Sequence, residues 1–491
     1  MTDNLLQNSS CPGVNRRDFF SHFGTGLKGI ALASLLSPDL RAAESKPPKK
    51  NFEDLKPRPP HFRAKAKAVI QLFMNGGPSQ VDLFDPKPTL TRLDGTASPA
   101  RIAEELTFPK AAGGLLASPF EFSKHGKCGM DISNALPHLH KHADEIALIR
   151  SMVGEHFNHE QSLYLIHNGR IVPGRPSLGA WAVYALGSVN QNLPAYVVLD
   201  DPTALPVNRT QSWHSGFLSP VFQGTRLRAK GSPILNLSPP QGIPGGVREA
   251  EMTLLRKLDE KHTHARPLNP DLTARIASYE LAARMQLSAT DALDLRQETE
   301  RTRTMYGLDG TADQVSYGRR CLMARRLVER GVRYVQIFIE GQIWDSHMRL
   351  KPHLLNATRK TDQAISALLT DLRERGLSDE VLVIWNGEFG RMPTAQLPER
   401  GDLGRAGRDH GPSGFSLWMA GAGIKPGTIY GSTDDIGYRA EENPVTVHDF
   451  HATILHLLGL NHRNVFYTQP SHRRDRLTDE YPARVVKGIL S

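Results

Sequence analysis

The side-chain pairs best suited to chemistry in this chain are an aspartate and a histidine two residues apart in Trp344-Asp345-Ser346-His347, and the adjacent pair in Arg408-Asp409-His410-Gly411. Two further runs belong with them: Asn158-His159-Glu160 and Asn386-Gly387-Glu388-Phe389-Gly390-Arg391, with Asp82 closing an earlier segment. Carboxylates supply negative charge and neutral imidazoles supply nitrogen. That mixture suits a divalent zinc, manganese or iron ion more than calcium. Two such ions would polarise a phosphoryl or sulfuryl oxygen and activate a nucleophile. Each run also has a plain structural reading. Asp345 and Ser346 suit a cap or turn, Glu388 between glycines suits a carboxylate accepting backbone N–H groups, and His410 suits the flank of a loop. Asp85, ahead of Pro86, reads as a turn residue. His138, His140 and His142 read as a solvated face, and His448, His451 and His456 as structural residues of a helix.

Chemistry requires that distant runs be gathered, and each run follows a segment of β character. Ala68 to Met74 is a continuous apolar run that breaks into Asn75-Gly76-Gly77-Pro78. Ile146 to Met152 leads to the first histidine run, Tyr334 to Glu340 to the Asp345 run, and Val381 to Trp385 to the Glu388 run. Ala195 to Leu199 and Ser416 to Ala420 read as two more strands. Helical periodicity covers a segment from about Glu160, then Pro270 to Tyr306, Tyr317 to Arg330, Pro352 to Arg375 and His448 to Leu458. Short buried strands alternating with helices predict a mostly parallel sheet, whose ligands sit beyond the carboxyl ends of the strands. Residues 203–250, rich in Pro and Gly, read as an irregular insertion.

The ends and the composition bound the rest. Arg16 and Arg17, followed by Phe19 and Phe20 and a small-residue run from Gly24 to Leu36, predict a twin-arginine export signal over residues 1–43. A Pro/Lys-rich tether follows over 44–60, and one domain over 61–491. The chain therefore reads as extracytoplasmic, periplasmic or secreted. Its net charge of +9 is modest and unclustered, which argues against nucleic acid as a partner. No run beyond the signal has the length and apolarity of a membrane span. Past Cys11 only Cys128 and Cys321 remain, so a cysteine metal cluster is excluded.

Several motifs recur in order: AVIQLFMNGGPSQVDLFDPKP, NHEQSLYLIHNGR, RPSLGAWAVYALG, CLMARRLVERGVRYVQIF, WDSHMRLKPH, WNGEFGRMP, GRDHG and TVHDFHATILHLLGL. Together they resemble the secreted family catalogued as domain of unknown function 1501, which looks like a branch of the alkaline phosphatase-like, sulfatase-like superfamily. The resemblance implies a three-layer α/β/α sandwich with its site at the carboxyl edge. By the same resemblance His159 falls at the nucleophile position of sulfatases, Glu388 replaces a metal aspartate, and Asp345, His347 and His410 match metal ligands, with Asp82 a further candidate. Arg391 or Arg170 would grip an anionic substrate through a bidentate fork, with Asn158 beside it. The implied activity is metal-dependent hydrolysis of a phosphate or sulfate ester on a small molecule or glycan. Phe389 stands where that superfamily has a ligand, and Ser162 lies deeper in its helix than a nucleophile would. These departures support the alternative of a non-catalytic relative that binds surface glycans or a partner protein.

Overall fold

Gln71 is the one polar residue in the run Ala68–Phe73, and so apolar a run is stable only as a strand covered on both faces. The structure, a computed structural model, describes residues 52, 54–103, 111–228, 245–265, 270–398, 403–479 and 481–491. The expected export signal (1–43), most of the tether before Asp54, and residues 229–244 of the expected insertion lie outside these residues. Among the described residues nine strands form the main sheet: β1 (Ala68–Phe73), β2 (Ile146–Val153), β3 (Tyr196–Leu199), β4 (Thr225–Leu227), β5 (Tyr334–Phe338), β6 (Val381–Asn386), β7 (Phe415–Gly421), β8 (Thr428–Tyr430) and β9 (Val445–Thr446). Their order is β8-β2-β7-β6-β1-β5-β3-β4, with β9 also paired to β2. Every pairing is parallel except those of β7, which runs against both β6 and β2.

The helices that cover the sheet are α1 (His159–Asn168), α2 (Leu178–Leu186), α3 (Pro270–Leu293), α4 (Ala312–Glu329), α5 (Leu350–Glu374) and α6 (Val447–Leu457). Val69 and Phe73 of β1 share a core with Ile166, Trp181 and Phe450 of α1, α2 and α6. Ile70 and Leu72 share the opposite core with Met285, Leu322 and Leu368 of α3, α4 and α5. The alternation is the period of two expected of a strand between two helical layers. The result is an α/β/α sandwich with a mostly parallel sheet. Gln71 is tolerated at its centre because both ends of its amide are bonded. It donates to Asn386 Oδ1 at 3.0 Å and accepts from the Tyr334 hydroxyl at 2.7 Å.

Local signals set the helix ends nearest the expected site. The Asn158 side chain accepts from the Glu160 N–H and starts α1, and Gly169 ends it at φ +76°. Thr446 and Asp449 form a reciprocal capping box on α6. Three expectations need correction. The helix expected over 270–306 breaks after Leu293, because Asp294 and Thr299 each cap a new turn with their side chains. His142 is buried between Glu145 Oε2 at 3.0 Å and Ser366 Oγ at 3.1 Å, and is not on a solvated face. The segment 203–250 supplies the edge strand β4 and the start of a helix, Gly245–His264.

The α4 side is held by a buried charge cluster. Glu298 meets Arg325 at 2.7 Å and also Arg326, and Arg325 reaches Asp371 at 2.8 Å. Removing one partner leaves buried guanidinium charge uncompensated. Glu298→Ala should therefore lower unfolding free energy by about 3–5 kcal/mol, read by chemical denaturation; a loss below about 1 kcal/mol, the size of a surface pair, would show that the cluster is not coupled to folding.

Candidate metal centre

Because every strand but β7 runs the same way, the carboxyl ends of the parallel strands share one edge, and the reversed β7 brings its amino end there as well. Beyond β1, Gly76 at φ +108° lets the backbone approach the turn after β5; a Cβ there would lie 2.5 Å from the Asp345 nitrogen. The turn itself is closed by Trp344 N–H to Asn75 O at 3.0 Å and Asp345 N–H to Gln342 O at 2.9 Å. Ahead of β7, His410-Gly411 pairs antiparallel with Gly390-Arg391. Beyond β2 the chain turns into α1, whose first residue is His159. Three segments thus deliver four side chains to one place.

One donor atom from each of His159, Asp345, His347 and His410 lies within 4.8 Å of the others. The imidazole Nε2 atoms converge on the Asp345 carboxylate: His347 at 2.9 Å and His410 at 3.3 Å from Oδ1, and His159 at 3.4 Å from Oδ2. The three Nδ1 atoms face acceptors on the other side. His159 meets Glu388 Oε1 at 2.7 Å, His347 meets Gln396 Oε1 at 2.5 Å, and His410 meets the Phe157 carbonyl at 2.7 Å. Nδ1–H donation to each acceptor leaves each Nε2 lone pair turned toward the shared centre, the tautomer of a metal-binding histidine. His159 Nε2 is buried and makes no hydrogen bond. Three nitrogens and one carboxylate fit zinc, manganese or iron, and the orphaned Nε2 is the kind of atom an ion would satisfy.

Arg391 supports the carboxylate. It is fully buried, and Nη2 donates to Asp345 Oδ1 at 2.5 Å and to the Gly76 carbonyl, while Nε donates to Gly77 O at 2.9 Å. Burial works against ionisation of Asp345, but Arg391 and the three imidazoles outweigh it and hold the carboxyl far below its usual range. Burial likewise opposes charge on His159, yet Asp345 and Glu388 raise it to about 8. At His410 burial dominates and, with Arg391 and His159 nearby, pushes the imidazole down to about 3. The Phe389 ring packs 4.8 Å from the His159 ring and 4.6 Å from His410, forming an apolar wall.

The structure gathers His159, Asp345, His347 and His410, and places the other expected site residues differently. Glu388, expected as a ligand, is outside the four-donor group; its carboxylate accepts from His159 Nδ1 and from the Gly76 N–H at 2.9 Å. Asp82, also expected as a ligand, is fully buried against Arg408, at 2.7 Å from Nε and 3.0 Å from Nη2. Arg391, expected as a substrate fork, is spent on Asp345 and backbone carbonyls. Arg170 lies beyond the opposite end of α1, over the Tyr481 ring at 5.3 Å, about 16 Å along the chain from His159 at helical rise. Asn158 caps α1. Gln396 and the Phe157 carbonyl escaped the sequence reading, since neither type has a ligand signature. The Asn-Gly-Gly after β1, read from the sequence as the turn that ends the strand, also makes the close backbone approach to the Asp345 turn.

Fold and centre together define an α/β/α protein with a three-histidine, one-aspartate donor set at the carboxyl edge of its sheet. The chain belongs to the family described as a protein of unknown function (DUF1501), which matches residues 66–490. Among curated proteins no sequence matches. Solved structures similar to it include the PsFucS1 sulfatase from Pseudoalteromonas sp. (13% identity, 88% of this chain and 71% of that chain, TM-score 0.34). They also include the phosphonate monoester hydrolase SpPMH from Silicibacter pomeroyi (11%, 86% and 76%, TM-score 0.35). A third is alkaline phosphatase from the Antarctic bacterium TAB5 (11%, 76% and 96%, TM-score 0.30). At these scores the likeness is loose.

Two substitutions separate the centre from its supports. Gln396→Ala should weaken metal affinity about 10- to 100-fold by freeing the His347 ring, with little change in folding stability. Asp82→Ala should instead destabilise by about 3–5 kcal/mol by stranding Arg408. Chelator competition and denaturation curves read the two effects, and the reverse pattern would exchange the roles assigned to these residues.

Proposed function

We propose that this protein is an exported, metal-dependent hydrolase of phosphate or sulfate esters, on small molecules or glycans. The observation that carries the reading is the convergence of three Nε2 atoms on the Asp345 carboxylate. The motif resemblance to alkaline phosphatase-like proteins gives the reaction class, and Arg16-Arg17 with the run that follows gives the route of export. His159, Asp345, His347 and His410 would hold the ion. A bound divalent ion supplies Lewis-acid polarisation of an ester oxygen.

The chain's own groups then have distinct tasks. Asp345 contributes the negative charge that makes the set selective for a cation, and Arg391 keeps that carboxylate ionised and fixed. Glu388 orients His159 and, with Asp345, raises its basicity. Phe389 excludes water from one side, which strengthens the electrostatics inside. The cluster contains no hydroxyl or thiol, and Ser162 donates its hydroxyl proton to the His156 carbonyl at 2.6 Å. The reading is accordingly direct attack by water, with no covalent ester to the chain.

The second reading, a metal-holding but non-catalytic protein that binds glycans or a partner, draws on one observation. Arg391 and Arg408, which stand in the Glu388 and His410 runs, are fully buried and spent on internal partners. Turnover separates the readings. Purified protein loaded with zinc, manganese or iron should hydrolyse at least one chromogenic phosphate or sulfate ester, and Asp345→Ala should abolish this along with metal content. Bound metal with no turnover on any ester would favour the second reading.

Proton competition gives an independent check. His159 must be neutral to bind an ion, and without one it titrates at about 8, whereas His410 titrates at about 3 and Asp345 is already ionised at neutral pH. Apparent metal affinity should therefore rise about tenfold per pH unit from near 6 to about 8 and then level off. A flat profile across that window would remove His159 from the ligand set.

A further inference from the structure

A second concave site opens at the same edge of the sheet. A cavity of about 600 Å³ lies at the carboxyl ends of β3 and β5, between Asp201 and Thr203 on one side and Glu340 on the other, with Arg319 of α4 and Lys360 of α5 completing its walls. Its volume is that of a small-molecule site. It shares no residue with the metal centre, yet Glu340 and Asp345 are five residues apart on one segment, a path of at most about 18 Å.

The charges around the cavity decide what fits. Asp201, Asp313 and Glu340 face Arg319, Arg320 and Lys360, so the lining is balanced. Most of these groups already have one partner. Arg320 Nη2 donates to Asp201 Oδ2 at 2.6 Å, and Lys360 Nζ reaches Glu340 at 2.5 Å and Asp313 at 3.0 Å. Thr203 Oγ1 donates to Asp201 Oδ1 at 2.6 Å and lies 3.3 Å from Glu340 Oε2. Hydrogen-bonding capacity is left over on both sides. The ammonium of Lys360 retains a third N–H, the carboxylates retain lone pairs, and Arg320 Nε is buried without a partner. The Arg319 guanidinium makes no hydrogen bond or ion pair among the described residues.

We infer that this cavity is a subsite for a neutral saccharide unit, so that the ester hydrolysed at the metal centre is carried on a glycan; this deepens the proposed function and rests on it. A sugar hydroxyl donates to one group and accepts from another, and the carboxylates, ammonium and guanidinium groups of this lining offer both kinds of partner. A sulfate or phosphate dianion does not suit it, because three cations stand against three carboxylates and two of those cations are already engaged, which leaves no surplus of positive charge to hold one. The reacting group therefore belongs to the metal centre and the unmodified sugar to this cavity. The path of at most about 18 Å between Glu340 and Asp345 lets one oligosaccharide reach both.

The test is binding of the full protein to an array of neutral, sulfated and uronate oligosaccharides, followed by titration calorimetry with the best neutral one. Wild-type protein should retain a neutral glycan. Arg319→Met, which breaks no internal contact, and Glu340→Gln should each weaken it about 10- to 100-fold with metal content unchanged. Retention of no neutral glycan, retention of anionic glycans alone, or wild-type affinity in both variants would overturn the subsite. Metal content and ester turnover, measured on the same samples, report separately on the hydrolase reading: glycan binding without turnover would sink that reading and keep the subsite.

Discussion

The carboxylate of Asp345 is the interaction on which the rest of this edge depends. A partly buried anion must find compensation or become neutral, and here it meets one guanidinium and three imidazoles. Arg391 brings more than charge. Its remaining N–H groups reach the carbonyls of Gly76, Gly77 and Arg408, so one side chain ties the exit of β1 to the segment ahead of β7. The glycines after β1 are part of the same constraint. Phe389 contacts the position where a Cβ on Gly77 would stand, at 2.5 Å, and the Asp345 turn fills the space beside Gly76.

The three histidines are equivalent in topology and unequal in chemistry. All present Nε2 to the carboxylate, but their outer partners are a carboxylate, an amide and a backbone carbonyl. An acceptor with full negative charge stabilises an imidazolium more than a neutral one does. His159 thereby holds a proton, whereas His410, deeper and with a carbonyl as its outer partner, stays neutral. Binding of an ion displaces the proton that His159 holds, and that part of the pH response is a property of Glu388 as much as of His159.

Much of the fold was legible because it is written in short-range pattern. The apolar run 68–73, the strand-ending Asn-Gly-Gly and the Asp-x-His spacing at 345–347 all occupy a few neighbouring residues. What was not legible depends on partners far away in sequence. Asp82 looks like a ligand until Arg408, 326 residues later, is brought against it. Arg391 looks like a substrate fork until the carbonyls of Gly76 and Gly77 enclose it. Glu388 differs from a ligand only in which way its carboxylate turns. The reversal of β7 left no mark on its own composition, although it decides that His410 arrives at the same edge as Asp345.

The most direct test of this account is X-ray absorption spectroscopy on purified protein loaded with manganese or zinc, together with metal stoichiometry. The account predicts one ion per chain, bound by three imidazole nitrogens and carboxylate oxygen, with the imidazole scattering reduced in His410→Ala. Two ions per chain, or an ion surrounded by oxygen alone, would contradict it.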